Sequence, residues 1–204
     1  MAYGDFTLDT VRKSFGLMLK RASLFAAVAP VDVPQWLVTL LEKSMPFAFG
    51  SEKARSEFII VPILLASREL NHDSFSIYSG ERLDSDPSKG LSGECDFILT
   101  HTPPSPVIQA PIVVLVEAKK NDIEAGLGQC VAQMVGARLF NQKEGNGIEI
   151  IFGCVTTGEA WQFLKLERDA MLIENERYYI DRVDKILGMF QNILACYTPS
   201  LTAA

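Results

Sequence analysis

Residues 112–134 read IVVLVEAKKNDIEAGLGQCVAQM, and the rest of the chain can be placed around them. The segment opens as an unbroken apolar run rich in valine, which is typical of a strand buried on both faces. The run ends in Glu117, Ala118 and Lys119. Because side chains alternate along a strand, Glu117 and Lys119 lie on one face and Ala118 on the other. A carboxylate and an ammonium at the end of a buried strand cost desolvation free energy, which indicates a functional role.

Further polar residues stand on both sides of this strand. Downstream, Asn121 and Asp122 are candidate N-caps for a helix that carries Gln129 and Gln133 one turn apart on one face. Upstream, Asp96 lies in a second apolar strand, GECDFILT, at a separation from Glu117 that suits a hairpin. The sequence therefore predicts two adjacent strands and a helix with polar side chains directed at one place.

This arrangement resembles the PD-(D/E)xK nuclease superfamily, in which an acidic residue on one strand precedes Glu-x-Lys on the next strand and a glutamine on a helix. The matching residues are Asp96, Glu117, Lys119 and Gln129. The resemblance covers roughly residues 51–166, and Cys95 stands where the family name has proline. It implies an α/β chain with the restriction-endonuclease-like fold: a central mixed β-sheet flanked by helices, here with an N-terminal helical segment.

The resemblance also implies a chemistry for these residues. Phosphodiester hydrolysis needs charge neutralisation and an activated water, which a divalent metal supplies. The implied cofactor is Mg²⁺, with Mn²⁺ as a substitute, held by Asp96, Glu117 and the backbone carbonyl of Ala118. Lys119 would position the attacking water or stabilise negative charge on the phosphate. Gln129 would orient a water or contact the phosphate.

Two more residues are candidates for supporting roles. Gln133 lies one turn after Gln129 and could share its function. Glu57 matches, by type and location, a glutamate that many superfamily members carry on the first core helix. An ordinary surface glutamate near a helix start fits the position of Glu57 as well.

The length of 204 residues, 48% of them hydrophobic, predicts one domain over residues 1–204 with a substantial core. We expect N-terminal helices in residues 5–50, the nuclease-like core in residues 51–166, and a C-terminal strand and helix in residues 171–197. Four cysteines without a CxxC pair and two isolated histidines indicate neither a zinc site nor a disulfide framework.

Several local expectations can be tested directly. The amphipathic pattern of residues 5–21 predicts a helix, and Pro62 should kink the third helix or mark its restart. Residues 148–156 should form a strand parallel to the Glu-x-Lys strand, because a helix connects the two. Residues 171–180 are expected to form the last strand, and Asp181 to cap the last helix.

Charge leaves two classes of function open. The formal net charge of -6 disfavours a protein that grips long duplex DNA, because phosphate contacts need clustered Lys and Arg. The first hypothesis is a Mg²⁺-dependent endonuclease, with DNA expected as the substrate in preference to RNA. The alternative is a catalytically inactive relative that serves as an interaction module, with a homodimer as one form. The sequence predicts a cytoplasmic protein with reduced thiols, no membrane span and no signal peptide.

Overall fold

The structure is a computed structural model, and it describes residues 1–197. The helices are α1 (Leu8–Phe15), α2 (Gln35–Ala48), α3 (Glu52–Arg55), α4 (Val61–Leu70), α5 (Ile123–Lys143) and α6 (Val183–Ala195). The strands are β1 (Met18–Ala22), β2 (Ser76–Arg82), β3 (Glu94–Thr100), β4 (Ile112–Ala118), β5 (Ile150–Thr156), β6 (Ala160–Glu167), β7 (Ala170–Glu174) and β8 (Tyr178–Tyr179).

The described strands form one mixed sheet in the order β1-β7-β6-β5-β4-β3-β2, with β8 paired to β6. The pairs β1–β7 and β4–β5 are parallel, whereas the other pairs are antiparallel. The predicted parallel arrangement of β4 and β5 across the α5 connection is confirmed. An α/β chain with a mixed sheet between helices is thus confirmed, and its assignment to the restriction-endonuclease-like fold stays a prediction.

Helices cover the sheet on both faces. The helix α5 packs on β4 and β5, and α1 packs on α5. The helices α2, α4 and α6 lie on the opposite face. Along β4, Val114 and Val116 belong to the core beside α6, and Leu115 belongs to the core beside α5. The same alternation directs Glu117 and Lys119 toward α5.

The expected helix over residues 5–21 is wrong beyond Phe15. Gly16 adopts a left-handed conformation (φ 66°) and ends α1, as glycine commonly does after a helix. The chain then extends as β1, which pairs with β7 at one edge of the sheet. The N-terminal segment is therefore not wholly helical, because an exposed edge strand lies within it.

Two further expectations concern helix boundaries. The third helix restarts at Pro62 as predicted, since α4 carries this proline in its first turn, directly after a π-helical turn at Ser56–Ile60. The capping role of Asp181 is wrong: Asp181 lies in a 3-10 turn, and Arg182 occupies the N-cap of α6. The expected strand over residues 171–180 is divided into β7 and β8. None of the described helices is both long and apolar enough to cross a bilayer.

Candidate active site

The candidate site lies where β3 begins and β4 ends. Phe97 pairs with Val116 at the end of the antiparallel β3–β4 ladder, and in the same register Asp96 and Glu117 come next along the two strands. There, Asp96 Oδ2 accepts a hydrogen bond from the backbone N–H of Ala118 over 2.7 Å. The carboxylate of Asp96 thereby holds the end of β4 and is itself fixed beside Glu117.

A chain of side-chain contacts joins β4 to α5. Lys119 Nζ lies 2.5 Å from Glu117 Oε1 and 3.3 Å from Gln129 Oε1. Gln133 Nε2 donates to the second oxygen, Glu117 Oε2, over 2.7 Å. The side chain of Glu117 is 1% exposed and that of Lys119 is 20% exposed. Four of the residues predicted from the sequence, Glu117, Lys119, Gln129 and Gln133, therefore form one network that opens to solvent through Lys119.

Close packing of α5 brings the glutamines within reach. The helix begins at Ile123, where Asp122 caps it by accepting from the N–H of Glu124. A Cβ at Gly126 would lie 2.6 Å from Val155 Cγ1 and 3.0 Å from Lys119 Cγ, so a larger residue would push the helix from the sheet. The absence of a side chain at Gly126 thus lets the helix approach the end of β4.

The ionised forms of Asp96 and Glu117 are destabilised by their surroundings. Burial first and the negative charge of Asp96 second raise the pKa of Glu117 to about 7, against the lowering effect of Lys119 and Gln133. Burial also raises the pKa of Asp96. Burial lowers the pKa of Lys119, but the Glu117 charge and hydrogen bond, with help from Glu52 and Asp96, leave it above its usual value. Lys119 is therefore a permanent cation at neutral pH.

An acidic cleft of about 400 Å³ adjoins the network. Asp96 lines this cleft together with Glu57, whose side chain is 54% exposed and lies 3.7 Å from Lys53 Nζ. Within residues 1–197 no hydrogen bond or ion pair connects Glu57 to Asp96. Glu52 lines the same cleft, and its charge raises the pKa of both Asp96 and Lys119. Glu52, at the start of α3, therefore acts electrostatically on the site residues. It was not among the residues predicted from the sequence.

The donor set bears on which metal the site suits. Within the described residues no group of three or more His, Cys, Asp or Glu side chains is arranged to hold a metal ion. Mg²⁺ keeps several waters and commonly takes only one or two protein carboxylates. Each carboxylate oxygen has two lone pairs, so Asp96 and Glu117 keep acceptor capacity beyond the hydrogen bonds described above. The residues present therefore fit Mg²⁺ better than a metal that needs a complete protein cage.

No protein-family model matches the sequence, and no curated protein matches it significantly. The PD-(D/E)xK resemblance consequently stays a prediction that rests on the site residues and on their setting in the fold.

Proposed function

We propose that the protein is a Mg²⁺-dependent nuclease that hydrolyses phosphodiester bonds, with DNA as the preferred substrate. The observation that carries this proposal is the convergence of Asp96, Glu117, Lys119 and Gln129 where β4 ends. Two carboxylates, one cation and one amide from two strands and a helix are the groups that metal-assisted phosphoryl chemistry requires.

The residues divide the chemistry among them. Asp96 and Glu117, with the carbonyl of Ala118, would hold Mg²⁺, which supplies Lewis-acid stabilisation and a bound water of lowered pKa. Lys119 keeps its proton at neutral pH, because nearby carboxylates raise its pKa. It therefore acts as a positive charge beside the phosphate rather than as a general base. Gln129 accepts from Lys119 and fixes the direction of that ammonium.

The protonation of Glu117 gives the proposal a pH dependence. In the metal-free protein the pKa of Glu117 is about 7, so a proton must leave before this carboxylate can act as a ligand. We expect activity at limiting Mg²⁺ to rise with pH through this value. Higher Mg²⁺ concentration should shift the rise to lower pH, because the metal and the proton compete for the same oxygens.

The decisive experiment incubates purified protein with Mg²⁺ or Mn²⁺ and a panel of DNA and RNA substrates. We expect cleavage by the wild type and a loss of at least about 100-fold in Lys119→Ala, since a preorganised charge at the reacting phosphate is removed. Lys120→Ala is the matched control, because Lys120 is the adjacent lysine in the chain and is exposed. Intact substrates throughout the panel with the wild type, or equal activity in the two variants, would contradict the proposal.

A second candidate function, a non-catalytic interaction module, is favoured by a different observation. Both oxygens of Glu117 are satisfied within the protein, as expected for a structural ion pair. In addition, Phe47 is 68% exposed and its ring lies 6.3 Å from that of Phe58, which is also exposed. For a homodimer through this apolar surface, sedimentation equilibrium should show concentration-dependent association that Phe47→Ser abolishes.

A further inference from the structure

A second cleft lies at the opposite end of the sheet from the candidate active site. It has a volume of about 410 Å³ and is enclosed by α1, the second half of α5 and the turn between β6 and β7. The pairing of Thr156 with Trp161 marks the active-site end of the β5–β6 ladder, whereas that of Ile150 with Glu167 marks the other end. The cleft adjoins this second end, so the proposed nuclease site does not include it.

The cleft contains an arginine, Arg138, that forms no ion pair with a carboxylate among the described residues. Arg138 is half-buried on α5, and its Nη1 donates a hydrogen bond to the backbone carbonyl of Arg168. Among residues 1–197 no carboxylate oxygen lies within ion-pair distance of Arg138. Burial lowers the pKa of Arg138, while Asp169 and Glu149 compensate only from a greater distance. A half-buried guanidinium with spare donors, and with no described carboxylate in direct contact, favours the binding of an anion.

The wall of the cleft is held in a defined shape. Arg168 has a positive φ of 52°, which is uncommon for a residue with a side chain. Arg138 holds this residue by its carbonyl, and the carbonyl of Asp169 accepts from the N–H of Met18 over 2.8 Å. A positive φ is the ordinary geometry at the start of a two-residue hairpin turn, here Arg168 and Asp169 between the paired residues Glu167 and Ala170. The turn is thus fixed from two sides at the place where it meets the cleft.

The remaining lining defines the class of ligand. Phe15, Leu91 and Leu139 supply apolar surface, and the volume is within the range of small-molecule sites. Three cations line the cleft, and two of them have carboxylate partners: Lys89 pairs with Asp86 and Arg168 with Glu149. Of these three described cations, Arg138 is the one without a carboxylate at ion-pair distance, so it is the group available to an anion. The carboxylates of Glu149 and Asp169 disfavour a ligand with several negative groups. One anionic group on an apolar body matches this balance.

We propose that this cleft binds a small organic anion, in which a single phosphate or carboxylate group pairs with Arg138 and an apolar body packs on Phe15 and Leu139. The anionic group would accept from the guanidinium donors that Arg168 leaves unused. The adjacent apolar residues would remove the ligand body from water. The proposal does not depend on nuclease activity at the other end of the sheet.

Binding is tested with phenyl phosphate and benzoate as anionic probes and with benzyl alcohol as the neutral control. Saturation-transfer NMR detects contact, and isothermal titration calorimetry gives Kd. We expect both anions to bind the full chain more tightly than benzyl alcohol. Arg138→Gln should weaken anion binding by at least about tenfold, because a charged hydrogen-bond donor is removed. Arg182→Gln is the matched control, since Arg182 is an exposed arginine at the N-cap of α6, outside the cleft.

A second variant, Gln142→Glu, tests the proposal independently in case Arg138→Gln does not fold. Gln142 is an exposed lining residue, and Gln142→Glu adds a negative charge at nearly unchanged shape. It should weaken anion binding by about threefold and leave benzyl alcohol unaffected. Absence of binding at millimolar probe concentration would overturn the proposal. Equal affinity for anionic and neutral probes, or anion affinity unchanged by Gln142→Glu, would also overturn it.

Discussion

Replacing Asp96 with Asn should stabilise the metal-free protein. The substitution removes one of two neighbouring negative charges and keeps an oxygen that can accept from the Ala118 N–H, a bond of 2.7 Å in the wild type. Lys119 pairs with Glu117 rather than with Asp96, so the change leaves no ammonium without its partner. The main effect is therefore the loss of repulsion between Asp96 and Glu117.

The size of the effect follows from the pKa of Glu117. Burial first, and the Asp96 charge second, raise this pKa from 4.5 to about 7. A difference of about 2.5 units corresponds to a cost on the order of 3 kcal/mol when Glu117 is ionised. Since burial is the larger cause, removal of Asp96 should recover on the order of 1 kcal/mol. In a domain of this size the melting temperature would rise by about 2–4 °C.

The gain should depend on pH in a defined direction. Below pH 4.5 Glu117 is protonated in both the folded and the unfolded chain, so its burial has little cost. Between pH 4.5 and about 7 the unfolded chain releases the proton while the folded protein keeps it, and stability falls as the pH rises. Burial also raises the pKa of Asp96, which acts in the same direction. The advantage of Asp96→Asn is therefore largest above pH 7 and shrinks toward pH 4.5.

Thermal melts of the wild type and Asp96→Asn, at acidic and alkaline pH and with EDTA or Mg²⁺, measure these quantities. Mg²⁺ should stabilise the wild type by mass action and the variant much less. If the variant melts below the wild type in EDTA at alkaline pH, repulsion between Asp96 and Glu117 does not destabilise the metal-free protein, and the reasoning is refuted. A gain that stays constant across the pH range would refute the assigned role of Glu117.

Two further predictions concern the scaffold of the site and are measured by urea denaturation. Gly128→Ala should destabilise the fold by about 2 kcal/mol, because the new Cβ would lie 2.3 Å from the carbonyl oxygen of Phe6. The control is Gly147→Ala, whose Cβ would meet no atom within 4 Å and which should change the free energy of unfolding by less than about 0.5 kcal/mol. Asn141→Leu should cost about 2–4 kcal/mol, since the Asn141 amide exchanges two buried hydrogen bonds of 2.8 Å with the backbone of Ile112. Equal stability of the two glycine variants, or an Asn141→Leu protein as stable as the wild type, would contradict the packing described here.

The centre of the fold could be predicted from local sequence because its signals agree with one another. The apolar run before Glu117 has no competing helical period, and Asp122 supplies a cap for α5 at the expected place. Strand alternation and the helical repeat then place Glu117, Lys119, Gln129 and Gln133 on facing surfaces, which the hydrogen bonds confirm. Strand alternation and the helical repeat are local relations, so the sequence contains them, and the short connection between β4 and α5 brings the two faces together.

Other features depend on contacts that no local pattern records. The strand β1 forms because β7, far along the chain, offers it an edge. Its sequence, MLKRA, has no apolar–polar alternation and fitted an amphipathic helix better than a strand. The coupling of Glu52 to Asp96 likewise arises from the tertiary fold, which places both residues in the lining of one cleft. A signal for Glu52 existed in Ser51, which caps the helix at that point and fixes its first turn. It indicates the start of the helix but not the direction in which Glu52 points.

The balance of charge at the site distinguishes its two interpretations. A structural ion pair between Glu117 and Lys119 would be complete with one carboxylate and one ammonium. Asp96 adds a second negative charge that raises the pKa of Glu117, and Glu52 contributes a third whose effect reaches Lys119 and Asp96. The excess charge itself opposes folding, since each added carboxylate opposes the ionisation of the others, whereas the hydrogen bond from the Ala118 N–H to Asp96 needs only an oxygen acceptor. An excess of negative charge next to a single lysine is expected where a second cation belongs, and this supports the metal-dependent proposal over the structural pair.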